Sequence, residues 1–535
     1  MTNLITPWAP IFLLLLLAIL FHLSRGRLAG WRAVALAGLG LAAVAASLAM
    51  LRLSPDTAPL AFPWQPSLGS SPHWAADPEM FPFAAVLVAL LAGVIFADNA
   101  RTARWPSAFL LAAGAFGILF AENLLALALA WLLMEAILRV AAADSPVASR
   151  RDVNTLDALW GFLGLAAILF LWHVTDGASL RPYQTGQWTE QARTILAAVA
   201  LVRMGVYPLV SRQLAFGAAR LSPLDACAAA PVVAGLALAQ RAATLGSVLN
   251  PQWLVWLGAA SALLCGFVAW QRASADDRIQ WAVRAVLALA LLLWGAGAVP
   301  PLLLFPAAAA SITLGLGLWT LRPYAPLSEG VFWRRGLSAA AWLAPVIVLG
   351  FGPLSPVTYG MLDLWQHLMD EATFLPLILA LTGQMLAMAA LLHTSPKERA
   401  AVGKAARWGT YGFWLAVVLA WVFATRAILA LGGDESGAIA ASMRLPQSLG
   451  AWAALALPLL GALALPEPSR LSSAARTWME RVAAFLTLGW LGTLALAAGE
   501  WIGRALNGLD SLLGGEGYLA WTVVLLLGLV LWIAR

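Results

Sequence analysis

The feature that most constrains this chain is a ladder of apolar runs, each roughly 17 to 25 residues long, separated by short polar segments. Such runs lie at 7–23, 31–53, 81–97, 105–121, 123–141, 158–174, 193–213, 224–246 and 253–270. They continue at 279–298, 300–321, 336–353, 372–393, 408–431, 446–465, 477–499 and 517–534. A chain built this way folds as an all-α polytopic membrane protein with about 17 transmembrane helices, because in lipid each span must satisfy its own backbone. With 62% hydrophobic and 11% charged residues and a mean hydropathy of +0.83, it is no ordinary soluble globule. No connecting segment is long enough for a soluble domain. The run beginning near Trp8 lacks a preceding basic region and a small-residue cleavage site, so it is expected to be retained as a span.

Charge placement orients the ladder. Arg25 and Arg27, Arg101 and Arg104, Arg150 and Arg151, Arg212 and Arg220, and Arg272 and Arg278 fall in alternate loops. Arg334 and Arg335, then Lys397, Arg399 and Lys404, then Arg470 and Arg476 keep the register, whereas loops 54–80 and 354–371 contain neither Lys nor Arg. The positive-inside rule therefore predicts an outside N-terminus and a cytoplasmic C-terminus in a cell inner (plasma) membrane. The net charge of +6 is accounted for by these orienting residues, which excludes nucleic acid as a partner. The 27 Trp residues mostly flank spans, as lipid-interface anchors do. The outer loop 54–80, rich in Pro, Ser and Trp, is expected to pack as a plug or partner surface. A short interfacial helix is expected over 500–514, where Trp501, Ile502, Leu506, Leu509 and Leu513 recur at helical spacing.

Cys227 and Cys265 lie in separate runs with no metal-ligand spacing, and they read as small core residues. There is no GxGxxG after a strand, no P-loop and no haem or cluster ligand set, so no cofactor, metal or catalytic residue is expected. The chemistry-bearing stretch is Arg203 to Arg241. It places an Arg deep in an apolar run, Pro208 five residues later, and Pro223 before the next run. A charge and a mid-span Pro together mark a broken helix in protected surroundings.

That stretch resembles the broken seventh helix of the antiporter-like subunits of complex I, membrane hydrogenases and Mrp-type antiporters. Arg203 stands at the family's Lys, Pro208 and Pro223 reproduce its two prolines, and Gly235 and Arg241 match the Gly and Arg that close the next helix. Asn123, followed by Trp131, looks like the fifth helix, where a Glu follows the Trp. Here Leu132 holds that position and Glu135 comes one turn later. Asp276-Asp277-Arg278 leading to Ala282, and Leu349 to Pro353, are similar to segments around the tenth and twelfth helices.

The resemblance implies a core of fourteen helices, two inverted repeats with one broken helix each, and a midplane proton relay of Glu, Lys and His. It divides the chain into 1–104 (N-terminal helices and outer loop), 105–246 (first repeat), 247–393 (a degenerate second repeat) and 394–535 (C-terminal helices). Lys suits such a relay because desolvation lowers its pKa, whereas Arg stays protonated. The chain has only Lys397 and Lys404, both in one inner loop, and its run over 305–319 carries neither His nor Lys. The relay is therefore incomplete.

The ion-path candidates are Glu135, Arg203 and Asp225. Arg203 is either a fixed charge opposite Glu135 or a donor to carbonyls freed at Pro208. Glu135 can instead pair with Arg139 at i,i+4. Asp225 can cap the helix after Pro223. Asp276 and Asp277 read as a loop and helix start. The function expected is an antiporter-like subunit of a larger energy-converting complex, a scaffold or an incomplete proton path, with other integral membrane subunits and lipids as partners. An active proton or cation translocator, of inorganic-carbon-accumulating or Mrp type, is one alternative. A polytopic glycosyltransferase or polymer ligase using Asp77 and Glu79 is the other.

Overall fold

The structure is a computed structural model, and it describes residues 6–24, 31–53, 60–61, 72–97, 105–143, 151–175, 180, 188–209, 227, 229–297, 300–321, 346, 349, 368, 374–393, 449–488 and scattered positions to 504. Fourteen α-helices appear among them. The first seven are α1 (Trp8–Leu23), α2 (Trp31–Leu53), α3 (Phe81–Ala97), α4 (Trp105–Leu119), α5 (Leu124–Ala143), α6 (Arg151–Val174) and α7 (Glu190–Met204). Then come α8 (Ala230–Thr244), α9 (Gln252–Gln271), α10 (Ala275–Ala296), α11 (Pro301–Leu321), α12 (Phe374–Leu392), α13 (Leu449–Ala464) and α14 (Ser473–Leu486). Six described helices are long and apolar enough to cross a membrane, and Trp8–Leu23, Trp105–Leu119 and Ala158–Val174 are shorter apolar helices. The chain is a multi-pass membrane protein. The expected runs at 336–353, 408–431 and 517–534 lie outside the described residues, apart from positions 346 and 349.

Burial follows hydrophobic pattern. Helix α8 packs against α3, α4, α7 and α11, and every residue of it from Ala230 to Ala242 is buried. A helix apolar all round belongs in an interior. Peripheral α1 instead exposes Phe12, Leu16, Ile19 and Leu23 at three- and four-residue spacing, and α6 exposes Phe162, Leu163, Leu169 and Phe170. Such stripes are untenable in water and natural against lipid tails. In the second half, α9 lies between α10 and α12, and α13 packs on α12.

The far end of loop 54–80 is stitched into the bundle. Two short antiparallel strands, β1 (Leu60–Ala61) and β2 (His73–Trp74), pair in register Leu60 with Trp74. The Trp74 indole donates to the Gly117 carbonyl at 3.1 Å and its ring lies 4.7 Å from that of Trp8. Asn123 holds the junction, its Oδ1 accepting the Ala126 N–H at 2.9 Å as a cap for α5 and the His73 N–H at 3.3 Å. The described part of the loop thus packs onto the helix bundle.

One expected span is corrected. The run at 477–499 is not one continuous helix, because α14 ends at Leu486 and Leu488 takes a positive φ of 57°. Hydropathy averaged across the turn hides it. Arg476, Glu480 and Arg481 give α14 a charged side, Trp478 and Phe485 are exposed on it, and of its residues only Ala483 is buried. That pattern suits a helix lying along an interface better than one crossing it. Phe485 stacks on Trp490 at 5.4 Å across the turn. The interfacial helix expected over 500–514 falls mostly outside the described residues.

Candidate functional site: a buried ion triad

Helix α7 ends where its sequence requires. Thr189 caps its N-terminus, accepting the Ala192 N–H at 3.2 Å. At the other end Pro208 lacks an N–H and disfavours helix before it, so the chain leaves through Gly205, which adopts φ 69° and donates to the Leu201 and Val202 carbonyls. The Tyr207–Pro208 bond is cis, and Ser261 of α9 donates to the Tyr207 carbonyl at 2.6 Å. Arg203 therefore sits in the last turn of a helix that stops inside the protein, where a cation faces the negative end of the helix dipole.

Its guanidinium is wholly buried, at 0% exposure, and Nη1 donates to Glu135 Oε1 of α5 at 2.9 Å. Trp131, one turn before Glu135, presents its ring 3.7 Å from Arg203 Cζ, a cation–π stack with little water to weaken it. The Trp131 indole is fixed in turn by donating to the Gly161 carbonyl of α6 at 2.9 Å. Arg139 approaches Glu135 Oε2 at 3.6 Å, with its side chain 41% exposed against 18% for Glu135. The structure thus contains both pairings anticipated for Glu135. Arg203 makes no bond to the carbonyls freed at Pro208, and its Nε and Nη2 find no partner among the described residues.

Small residues make the triad possible. A Cβ at Gly161 would stand 2.6 Å from the Glu135 carboxyl carbon, and one at Gly164 would strike the Trp131 ring. On the other side, a Cβ at Gly235 of α8 would lie 2.6 Å from the Met204 backbone nitrogen. The carboxylate, indole and guanidinium are thus clasped between α6 and α8.

Of the other candidates, Pro208 is exposed beyond the helix end, while Pro223 and Asp225 lie outside the described residues. Asp276 and Asp277 occupy the first turn of α10, whose N-cap Ser274 accepts the Asp277 N–H. Asp77 caps the 3-10 turn Pro78–Met80, accepting the Glu79 N–H at 3.0 Å, and lies 3.7 Å from Arg241 of α8. No group of three or more His, Cys, Asp or Glu side chains gathers among the described residues.

Sequence reasoning overlooked Arg284, buried in α10 with its Cζ 4.5 Å from the Trp281 ring. The signal was the one that singled out Arg203: an Arg inside a hydrocarbon-length run. It also overlooked the role of Trp131 as the platform for Arg203, legible in its i,i+4 spacing to Glu135.

Neither a family model nor a curated protein matches the sequence. Solved structures share the fold. A chain of the Mrp complex from Dietzia sp. DQ12-45-1b is similar with a TM-score of 0.66 at 18% identity, over 98% of this chain and 62% of that one. A chain of the membrane-bound sulfane sulfur reductase, an archaeal respiratory membrane complex, has a TM-score of 0.66 at 14% identity over 99% of this chain and 100% of its own length. Respiratory complex I from Thermus thermophilus contributes a chain with a TM-score of 0.56 at 17% identity, over 86% of this chain and 100% of that one. The chain therefore spans less than two thirds of the Mrp chain it matches. At these identities the likeness is one of fold, and it is shared with complexes of the kinds that the broken-helix stretch resembles.

Proposed function

We propose that the chain is an antiporter-like subunit of a larger energy-converting membrane complex, in which it serves as scaffold with an incomplete proton path. The observation that carries this reading is the 2.9 Å bond between Arg203 and Glu135 at the broken end of α7. It keeps the charge pairing of an antiporter-like site while replacing its titratable Lys by a guanidinium, a poor proton carrier. The absence of Lys outside 397 and 404 supports the same conclusion.

On this reading the first repeat spans 105–246 and the degenerate second repeat 247–393, within a core of fourteen among about seventeen spans. The N-terminus lies outside and the C-terminus in the cytoplasm of the plasma membrane. Other integral subunits cover part of the apolar periphery and lipids the rest. The pair Asp77 and Glu79 gives little support to a glycosyltransferase, since Asp77 is committed to a cap and to Arg241.

The test is proton flux in proteoliposomes holding the purified chain with its co-purifying subunits. Wild type and Arg203→Lys are both expected to leak no faster than protein-free liposomes, because a Lys at one position does not restore the rest of a relay. Wild-type flux abolished by Glu135→Gln overturns the scaffold reading in favour of an active translocator.

A further inference from the structure

A second buried polar cluster lies away from the triad, at the end of the bundle that carries the α4–α5 turn. Asp77 and Glu79 come from loop 54–80, and Gln240 and Arg241 from the last turns of α8. The guanidinium of Arg241 is engaged through both of its terminal nitrogens. Nη1 donates to the Ala121 carbonyl and Nη2 to the Leu119 carbonyl, both at 2.5 Å, so it caps the C-terminus of α4 as well as facing Asp77 Oδ2 at 3.7 Å. Asp77 is satisfied by that cation and by the Glu79 N–H.

Glu79 is different. Its Oε2 is buried and has no hydrogen-bond partner among the described residues. Gln240, 1% exposed, donates Nε2 to the Glu79 carbonyl at 3.3 Å. That bond fixes the amide orientation, since a flipped amide would set oxygen against oxygen. The atom left over is Gln240 Oε1, also buried and without a partner. With both carboxyls ionised, two carboxylates face one guanidinium and the cluster carries one uncompensated negative charge beside two orphaned oxygens. A buried acceptor without a donor costs about 1 to 3 kcal/mol, and more when charged. A bridging water would satisfy the oxygens and leave the charge.

We propose that this cluster is a binding site for one monovalent alkali cation, held by Glu79 Oε2 and Gln240 Oε1 with water completing its shell. One unpaired charge selects a monovalent over a divalent ion. A donor set of oxygen alone selects a hard cation over a transition metal. The bound ion joins the loop to α8, so occupancy couples the loop to the bundle. The proposal is independent of whether the subunit conducts protons, because it concerns binding at an end of the bundle.

The experiment is equilibrium binding of radioactive sodium to the full chain with its co-purifying subunits in nanodiscs. Saturable binding of one ion per chain is expected, competed by lithium or potassium but not by choline. Glu79→Gln and Gln240→Leu should each weaken it by about tenfold or more, since ligand charge and ligand number both set affinity. Gln240→Leu keeps every charge in place, so it stays informative if Glu79→Gln fails to fold. Absence of saturable binding overturns the proposal, as does binding unchanged in both variants. Thermal stability that varies with pH and is indifferent to alkali cation also overturns it, assigning the balancing charge to a proton on Glu79.

Discussion

Deleting the charge of Glu135 should damage the protein far more than deleting that of Arg139, although both arginines contact the same carboxylate. The Arg203 contact is 2.9 Å and its guanidinium is fully buried, so at an effective dielectric of about 20 the attraction is roughly 6 kcal/mol. The Arg139 contact is 3.6 Å with the side chain 41% exposed, and near-aqueous screening reduces it to roughly 1 kcal/mol. Removing one partner of a buried pair strands the other charge, which costs about 3 to 5 kcal/mol after relaxation. Glu135→Gln should therefore lose about 3 kcal/mol or more and Arg139→Gln less than about 1 kcal/mol. Both can be read from SDS-titration unfolding of the purified chain in mixed micelles. The double replacement Glu135→Leu with Arg203→Met should recover most of the loss, because it removes both buried charges together. Equal losses in Glu135→Gln and Arg139→Gln would refute the reasoning, as would a double variant no better than Glu135→Gln.

Other positions test the packing around the triad. Gly161→Ala should cost about 1 to 3 kcal/mol through collision with the Glu135 carboxylate, and in a Glu135→Ala background most of that cost should vanish. Gly205→Ala should cost about 1 to 2 kcal/mol because its φ is 69°, measured by the same unfolding assay. Arg241→Leu strands Asp77 and uncaps α4, and should appear as faster proteolysis within 72–80 while α9 to α12 stay protected.

The ladder of spans was legible because lipid imposes a length and a composition on each rung. The runs at 31–53 and 81–97 coincide with α2 and α3 at both ends. Hydropathy was blind where geometry ends a helix inside an apolar stretch. The run at 193–213 passes through Gly205 and Pro208, although that pair is itself a stop signal, and the run at 477–499 passes through the turn at Leu488. In the site, Arg203 was legible as a buried charge from its run, while its pairing with Glu135 was an expectation from the family resemblance. The clasp of Gly161 and Gly164 was not, and Gly235 was marked only by the family resemblance, because a glycine inside a span declares its purpose only when its neighbour is known. The cluster of Glu79 with Gln240 joins residues 161 positions apart and has no local signature at all.

The geometry also explains why an Arg fits this site. A Lys ammonium is a compact point charge, and its pKa falls when it is desolvated, which is what a relay exploits. A guanidinium is planar and more weakly hydrated, and it gains from a stacked aromatic ring and a carboxylate at its edge. Trp131 and Glu135 supply those two contacts, and the indole is itself held by the Gly161 carbonyl. The pocket is thus built to hold a permanent cation by its shape as well as its charge. Arg203→Lys would lose the planar stack and leave an ammonium in space made for a larger group, so it should unfold more readily than wild type by about 1 to 3 kcal/mol. A site tuned to release a proton would show the opposite order of stability, with Lys the better tenant.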